Sequence, residues 1–352
     1  VTFVPPTMPS PTPETAAAAA SADTATAGTK RPRSDDDVTT PTTAAAAAEN
    51  DTSSSAARPL TAEGQMPQKK FYRSRAHVNP LSHNNAYEYP TKPALLDWTA
   101  GHYPNHPKLK KGGEADGDDQ KKDGNDNDNT SSSSGIVPNV LDIGCGFGGL
   151  TIALATLLPQ STILGLEIRD KVTEYVRLRI AALRKEHSGQ YQNCSVLRSN
   201  TMKFMPNMFA KSSLDKVFFC FPDPHFKRKN HPRRIVSGRL LSEYAYFLRP
   251  TTGRLYCITD VEELHQWHVR HCRSHPLFRE LSQEEMDEDP CVAAMRVETE
   301  EGKKVERAGT AKYYAVYQRL PDEDVVAGSH AVTAENFWTE GNFGVRKSEQ
   351  KE

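Results

Sequence analysis

The feature that most constrains the fold is a mostly apolar run over residues 140–143 that ends in a glycine-rich segment. Glycines stand at 144, 146 and 149, and a helix-length apolar stretch over 150–158 follows them. Glycines between a strand and a helix let the backbone turn tightly and come close to a ligand. The spacing matches G-x-G-x-x-G, which alone predicts a nucleotide-type cofactor without saying which one.

Short apolar runs alternate with helical stretches from residue 136 to residue 318. We predict strands over 136–137 with 140–143, 162–166, 195–197, 216–220, 254–258 and 313–318. We predict helices over 150–158, 170–186, 240–248 and 261–273, with Asp170 as the cap of the second one. Strands that alternate with helices in this way form a parallel sheet covered on both faces, so an α/β fold is expected.

Ligands in such sheets bind at the carboxyl ends of the strands, near the point where the strand order reverses. The candidate site residues are therefore those that follow successive strands: Gly144, Glu167, Asn200, Asp223 and Asp260. A carboxylate at position 167 can accept hydrogen bonds from ribose hydroxyls. That role fits both a nicotinamide dinucleotide and S-adenosylmethionine, and a plain surface carboxylate is a third interpretation.

Asp142, two positions before the first glycine, favours S-adenosylmethionine over a dinucleotide. A dinucleotide needs a helix N-terminus and room for its pyrophosphate. S-adenosylmethionine has no phosphate and carries a sulfonium cation, which acidic surroundings suit better. An acid at this position is also common among methyltransferases, whereas a dehydrogenase does not need it.

A turn with an acid between two prolines, Pro222-Asp223-Pro224, follows the fourth strand. The prolines fix the backbone and thereby hold the carboxylate in place, although a rigid structural turn explains them too. Basic segments lie at 227–234 and, with interleaved aromatic residues, at 69–75. Each segment alone is equally well explained as solvated surface. The candidates for holding nucleic-acid phosphates are Lys227, Arg228, Lys229, Arg233, Arg234, Arg73 and Arg75.

Two stretches lack the apolar residues that a folded core requires. Residues 1–66 consist mainly of Ala, Thr, Ser and Pro, and residues 108–135 mainly of Lys, Asp, Asn, Gly and Ser. We predict a disordered N-terminal tail over 1–66 and one folded domain over 67–324 with a disordered insertion at 108–135. A loose C-terminal tail is expected over 325–352.

The cysteines and the apolar runs exclude several classes of protein. The six cysteines stand singly, without a Cys-x-x-Cys pair, so neither a zinc ribbon nor a disulfide framework is indicated. No apolar run approaches the roughly 20 residues of a transmembrane helix, and no signal peptide is apparent. We therefore expect a reducing compartment, nucleus or cytosol. The run Lys30-Arg31-Pro32-Arg33 is either a nuclear import signal or a chance basic patch.

Several motifs, taken together, resemble those of the tRNA (guanine-N7)-methyltransferases, specifically their eukaryotic catalytic subunit. The resemblance runs from about residue 69 to residue 320, interrupted by the insertion at 108–135. The motifs are Tyr72-Arg73-Ser74-Arg75-Ala76-His77 with Asn79-Pro80, Asp142-Ile143-Gly144-Cys145-Gly146, Gly165-Leu166-Glu167-Ile168-Arg169, Arg198-Ser199-Asn200, Phe221-Pro222-Asp223-Pro224-His225-Phe226-Lys227, Ile258-Thr259-Asp260-Val261 and Thr299-Glu300-Glu301-Gly302-Lys303-Lys304.

The resemblance implies a class I, Rossmann-like S-adenosylmethionine-dependent methyltransferase with a seven-stranded, mostly parallel sheet. It places the family's catalytic acid on Asp223. The cofactor contacts that it implies are Gly144, Glu167, Arg169, Asn200, Thr201, Cys220, Thr299 and Glu301. The substrate contacts that it implies, together with the basic segments, are Lys227, Asp260, Arg228, Arg73 and Arg75. No metal site is indicated.

The resemblance also implies the reaction and the partners. A methyl group passes from S-adenosylmethionine to N7 of the variable-loop guanosine, position 46, of tRNA. The eukaryotic subunit works with a non-catalytic WD-repeat subunit, and the nucleus is the expected location. Two alternatives stay open: a nicotinamide-dependent oxidoreductase, although no Tyr-x-x-x-Lys motif is apparent, and a non-catalytic methyltransferase-like RNA-binding subunit, although Glu167 and Asp223 are both retained.

Overall fold

The computed structural model describes residues 61–75, 78–82, 87–112 and 135–323, and all of them belong to one compact unit. The strands of this part of the chain are β1 Val140–Ile143, β2 Ile163–Glu167, β3 Cys194–Arg198, β4 Lys216–Cys220, β5 Arg254–Thr259, β6 Phe278–Glu280 and β7 Tyr313–Arg319. They form one sheet in the order β3-β2-β1-β4-β5-β7-β6. The first five strands pair in parallel, whereas β7 is antiparallel to both β5 and β6.

Helices follow each of the parallel strands and cover the sheet. The helices of the described residues are α1 Trp98–Gly101, α2 Gly149–Leu157, α3 Asp170–Glu186, α4 Thr201–Met208, α5 Gly238–Phe247, α6 Glu262–Arg273, α7 Gln283–Asp287, α8 Pro290–Val297 and α9 Glu300–Ala308. Short 3-10 helices occur at Lys69–Tyr72, Pro93–Leu95, Pro107–Gly112 and Arg228–Arg233. Among the described residues, none of these helices has the length and apolar character needed to cross a bilayer.

Successive side chains of each strand point to opposite faces of the sheet, and helices cover both faces, so both are buried. Leu141 and Phe219 belong to the core on one face, which Tyr244 of α5 also joins. Val140 and Phe218 belong to the core on the other face, together with residues of α2 and α3. The parallel α/β sheet predicted from the alternating pattern is therefore confirmed.

The predicted strands and helices agree with the observed ones to within a few residues, except that residues 136–137 belong to no strand and that one helix cap was misplaced. Helix α3 spans Asp170–Glu186, but Arg169 occupies the cap position and its side chain makes no capping bond. The prediction of Asp170 as the cap was wrong, because this residue already lies in the first turn of the helix. Its carboxylate still interacts favourably with the positive end of the helix dipole there.

The apolar pattern does not predict α1, α4, β6 or the three consecutive helices α7 to α9. These elements are short, and three-residue β6 is ordered by pairing with β7 rather than by its own sequence. Capping residues do mark the starts of the late helices. Ser282 and Glu285 form a capping box at α7, and Thr299 accepts a hydrogen bond from the amide of Gly302 at α9.

The predicted disordered segments lie mostly outside the described residues. Residues 1–60, 113–134 and 324–352 are outside the described part of the chain, so disorder there stays a prediction. At their edges, residues 61–66 are described although they fall in the predicted tail. The start of the predicted insertion likewise belongs to the 3-10 helix Pro107–Gly112.

Candidate active site

A cavity opens at the carboxyl ends of β1, β2 and β4, next to the point where the strand order reverses between β1 and β4. Seven of the predicted cofactor-binding and catalytic residues line its wall, although they come from four separate segments. They are Gly144, Glu167, Arg169, Asn200, Thr201, Cys220 and Asp223. The parallel topology explains their meeting, because it brings the end of each strand to the same edge of the sheet.

The glycine segment after β1 forms a bare stretch of the cavity wall. Gly144 and Gly146 have φ angles of +73° and +56°, a region that side chains rarely adopt. No atom lies within 4 Å of the position that a Cβ of Gly144 would occupy. That open space faces the cavity, so a ligand can come directly against the backbone there.

The carboxylate of Glu167 ends β2 and is almost fully buried, with 3% of its surface exposed. Its Oε2 accepts the amide of Gly146 at 3.1 Å and Nη2 of Arg169 at 2.8 Å. Its Oε1 accepts the amide of Arg169 at 3.0 Å and Nε of the same residue at 2.9 Å. Four donors thus occupy the four acceptor positions of a carboxylate.

This arrangement has a direct consequence for ribose recognition. A ribose hydroxyl can donate to Glu167 only if one of the four donors leaves, and the two backbone amides are fixed by the chain. The guanidinium of Arg169 is a side chain, 18% exposed, and it lines the same cavity. The bare glycine wall and the acid fit a nucleoside-bearing cofactor, provided that the Arg169 side chain turns away from Glu167.

Asp142 lies below the cavity rather than in its wall. It is 2% exposed in β1 and accepts a hydrogen bond from Oγ1 of Thr151 at 2.7 Å. Burial raises the pKa of this carboxyl to about 7. The structure therefore gives Asp142 a role in joining β1 to α2.

The segment 78–82 closes one side of the cavity. Val78 and Pro80 are part of the wall. The side-chain amide of Asn200 donates to the carbonyl oxygen of Pro80 at 2.6 Å, and Nζ of Lys203 donates to the carbonyl of Ser82 at 2.7 Å. The Asn79-Pro80 motif noted in the sequence thus belongs to the site region. Its position beside the cofactor side of the cavity was not predicted.

The turn that carries Asp223 is held in an unusual conformation. Phe221 and His225 have φ angles of +51° and +46°, and backbone of this kind costs about 1–3 kcal/mol per residue. The amide of Phe221 donates to the carbonyl of Ile258 at 2.8 Å, and the amide of His225 donates to Oδ1 of Asp223 at 3.3 Å. The carboxylate of Asp223 therefore stands on a strained turn, with 29% of the side chain exposed toward the cavity side.

Arg234 does not belong with the phosphate-binding candidates, and that prediction was wrong. Its side chain is fully buried and forms two hydrogen bonds with the carboxylate of Glu263, at 3.0 and 2.7 Å. Nε donates to the carbonyl of Pro224 at 2.9 Å, and the guanidinium stacks over the ring of Trp267. The neighbouring Arg233, in contrast, lines the cavity.

The remaining basic residues are exposed. Lys227 and Arg228 lie on the surface directly after the Asp223 turn, beside Phe226, whose side chain is 69% exposed. Arg73 and Arg75 are exposed on the N-terminal segment. An exposed aromatic ring among cations suits a nucleic acid, because bases stack on rings while phosphates attract the charges.

Three further residues implied by the resemblance also lie outside the cavity wall. Asp260 is exposed just after β5. Thr299 is the cap of α9, and Glu301 is an exposed partner of Lys304 at 2.7 Å. Their contacts with cofactor or substrate stay predictions of the resemblance.

Glu300, between these two predicted residues, contacts the glycine segment instead. Its Oε2 accepts the amide of Gly149 at 3.3 Å, and its Oε1 lies 3.0 Å from Nζ of Lys69 and 3.4 Å from Nη1 of Arg179. A Cβ at position 149 would collide with the carbonyl of Glu298. The third glycine of the motif thus serves the close packing of the α8–α9 junction.

The chain was compared with known proteins. Residues 137–315 match a family described as "Putative methyltransferase". The chain is 52% identical over 260 residues to the tRNA (guanine-N(7)-)-methyltransferase of Botryotinia fuckeliana (strain B05.10), which covers 73% of this chain and 90% of that protein. It is 46% identical over 266 residues to the tRNA (guanine-N(7)-)-methyltransferase of Schizosaccharomyces pombe (strain 972), with 74% and 88% covered.

Among solved structures, the 16S rRNA methyltransferase KamB aligns with a TM-score of 0.36 and 17% identity, covering 52% of this chain and 87% of that chain. Assignment to a family rests on the sequence relatives, which are aligned over nearly their whole length. These relatives favour neither a nicotinamide-dependent oxidoreductase nor a non-catalytic methyltransferase-like RNA-binding subunit. The chain therefore belongs to the family of tRNA (guanine-N7)-methyltransferases.

Proposed function

We propose that this chain transfers the methyl group of S-adenosylmethionine to N7 of a guanosine in tRNA, and that the target is the variable-loop guanosine at position 46. The observation that carries the proposal is the placement of Asp223 in the same cavity wall as Glu167. Glu167 suits the ribose of a cofactor, and Asp223 stands on a rigid turn beside exposed cations. The position number rests on the family resemblance.

The cofactor would be held by the β1 and β2 side of the cavity. Gly144 offers bare backbone, Glu167 offers hydroxyl acceptors once Arg169 turns away, and Asn200, Thr201 and Cys220 line the adjoining wall. When bound, S-adenosylmethionine supplies an electrophilic methyl group on a sulfonium sulfur. The family resemblance adds Thr299 and Glu301 to this set.

Asp223 would act by positioning the guanine. Guanine N7 has an in-plane lone pair, so no base is needed to deprotonate the attacking atom. A carboxylate can accept hydrogen bonds from N1–H and the exocyclic amine of guanine, and its charge opposes the positive charge that the ring gains. Orientation and electrostatic stabilisation would therefore supply most of the rate.

The exposed cations would hold the tRNA backbone. Lys227, Arg228, Arg73 and Arg75 are available to phosphates, and Asp260 stands exposed at the neighbouring strand end, where it can contact the substrate. Phosphate contacts position an RNA without reading its sequence. The base itself would be reached in an unpaired segment, where it can be turned out of its stack.

We further propose a WD-repeat protein as a non-catalytic partner and the nucleus, alongside the cytoplasm, as the location. Both proposals rest on the family resemblance, and the second also on the basic run at 30–33. Co-purification of the full chain with a WD-repeat subunit, and imaging of the tagged chain in cells, test them separately from the chemistry.

The deciding experiment is a methylation assay with tRNA and S-adenosylmethionine, read by mass spectrometry of the digested nucleosides. The chain is assayed alone and with a WD-repeat subunit. We expect 7-methylguanosine to form in at least one of these two conditions, and to disappear when guanosine 46 of the transcript is replaced by adenosine. Product that persists on the replaced transcript contradicts position 46, and absence of product in both conditions contradicts the enzymatic function.

A further inference from the structure

Arg234 connects two elements from a fully buried position. Each of its three guanidinium nitrogens donates a hydrogen bond: Nη1 and Nη2 to the carboxylate of Glu263, and Nε to the carbonyl oxygen of Pro224. Glu263 lies in the first turn of α6, whereas Pro224 follows Asp223 in the turn after β4. The side chain thus joins α6 to the turn that carries the proposed catalytic acid.

The ring of Trp267 fixes the guanidinium from one side. Cζ of the Arg234 guanidinium lies 4.6 Å from the centre of that ring. Nε1 of the Trp267 indole donates to the carbonyl oxygen of Val236 at 2.7 Å. Stacking and three directed hydrogen bonds determine the plane of the guanidinium. The carbonyl of Pro224 therefore meets a rigid donor rather than a mobile cation.

The Asp223 turn needs such support because its backbone is strained. The left-handed residues Phe221 and His225 lie on either side of Asp223. A conformation of this kind persists only where surrounding contacts enforce it. On the β5 side the contact is the bond from Phe221 to Ile258, and on the α6 side it is the bond from Arg234 to Pro224.

We propose that Arg234 is a positioning residue for methyl transfer: held by Glu263 and Trp267, it keeps the Asp223 turn in its strained conformation through the carbonyl of Pro224. The proposal rests on the proposed function of Asp223. It does not make Arg234 a catalytic residue, because the side chain has no exposed surface from which to touch a substrate. Displacement of a reacting group by about 1 Å can cost about 100-fold in rate, so a support of this kind matters for turnover.

The test variant is Arg234→Lys in the full chain. Lysine keeps the charge, but its ammonium is a point donor that cannot serve Glu263 twice and Pro224 once in the same plane. We expect kcat for tRNA methylation to fall by about 10- to 100-fold, with the Kd for S-adenosylmethionine unchanged. Hydrogen exchange measured by mass spectrometry should become faster in the peptide 221–229 and stay unchanged in β2.

Two matched variants separate positioning from general damage. Glu263 has a half-exposed side chain, and Glu263→Gln removes the charge that holds Arg234. Arg234 can still donate to Pro224 in this variant. We therefore expect a smaller increase in hydrogen exchange over the same peptide. Arg239→Lys makes the same replacement in an exposed pair with Glu243 on α5, and wild-type kcat and exchange are expected.

The outcomes distinguish this inference from the proposed function. If folded Arg234→Lys exchanges like the wild type over 221–229, or keeps full kcat, Arg234 does not position the turn. If Arg234→Lys does not fold, Glu263→Gln decides by the same two measurements. A wild-type chain that methylates no tRNA contradicts the proposed function, while the exchange comparison still tests whether Arg234 fixes the turn.

Discussion

Arg169 covers the carboxylate of Glu167, with Nε 2.9 Å from Oε1 and Nη2 2.8 Å from Oε2. The same carboxylate accepts the amide of Gly146, so it fastens the glycine segment after β1 to the end of β2. Glu167 therefore shapes the glycine segment, and under the proposed function it would also accept ribose hydroxyls once Arg169 moves. Both tasks depend on its negative charge.

We expect Glu167→Gln to weaken the binding of S-adenosylmethionine by about 10- to 100-fold. Hydrogen bonds to a charged group contribute about 1.5–3 kcal/mol, and about 1.4 kcal/mol corresponds to a factor of ten in Kd. Isothermal titration calorimetry measures the change. Glu174→Gln, an exposed member of an ion pair on α3, is the matched control and should bind like the wild type. An unchanged Kd for Glu167→Gln argues against a cofactor role.

Asp223→Asn should separate chemistry from cofactor binding. The amide keeps an oxygen that can accept the bond from the amide of His225, but it loses the charge that opposes the developing cation. Loss of one electrostatic stabiliser typically costs about 100- to 1,000-fold in kcat, and the Kd for S-adenosylmethionine should stay near that of the wild type. Single-turnover methylation and calorimetry measure the two. A parallel loss of cofactor affinity indicates a structural role for Asp223.

Glu300 contacts the glycine segment in the structure, whereas the neighbouring Glu301 is the residue to which the family resemblance assigns a cofactor contact. Glu300 bonds to the amide of Gly149 and pairs with Lys69, whereas Glu301 pairs only with Lys304 among the described contacts. We expect Glu300→Gln to weaken S-adenosylmethionine binding several-fold, since a backbone amide loses its charged acceptor at a cost of about 1–3 kcal/mol. Glu301→Gln should have the smaller effect. The reverse order of the two Kd values favours the cofactor contact implied by the resemblance.

The buried carboxyl of Asp142 should make the free energy of unfolding depend on pH. Its pKa is raised from 3.8 to about 7 by burial, so the folded chain keeps a proton that the unfolded chain releases. Stability from this group is complete below about pH 3.8 and is lost as the pH rises toward 7, by about 1.4 kcal/mol per pH unit.

Asp142→Asn should remove that loss, because the amide oxygen can still accept the bond from Thr151. Chemical denaturation at pH 5 and pH 8 should show that the variant has a higher free energy of unfolding than the wild type, with the larger difference at pH 8. The exposed Asp287→Asn change is the control and should give no such difference. Equal stability of Asp142→Asn and wild type at both pH values means that the carboxyl is not kept neutral.

Binding of tRNA should fall steeply with salt, because exposed cations that meet phosphates release counterions. Replacing Lys227 and Arg228 together by Gln should weaken binding of all tRNAs alike and reduce the slope of log K against log salt by about one per lost phosphate contact. Filter binding at several salt concentrations measures the slope. A wild-type slope near zero contradicts the assignment of this surface.

The sequence by itself determined the parallel part of the sheet and the place of the two acids. A local period of apolar residues encodes each strand and helix, and a parallel sheet necessarily brings residues that follow strands to one edge. Glu167 and Asp223 could therefore be assigned to one cavity from their positions alone, and both line it. The glycine segment was located for the same reason.

Only the tertiary structure decided which of the remaining charged residues face the cavity, the solvent or the interior. Arg233 and Arg234 are adjacent and chemically identical, yet the first lines the cavity and the second is enclosed by α6. Glu300 reaches Gly149 across 151 positions of sequence. Such contacts depend on how separate elements pack against one another, and a local pattern of residues carries no record of that packing.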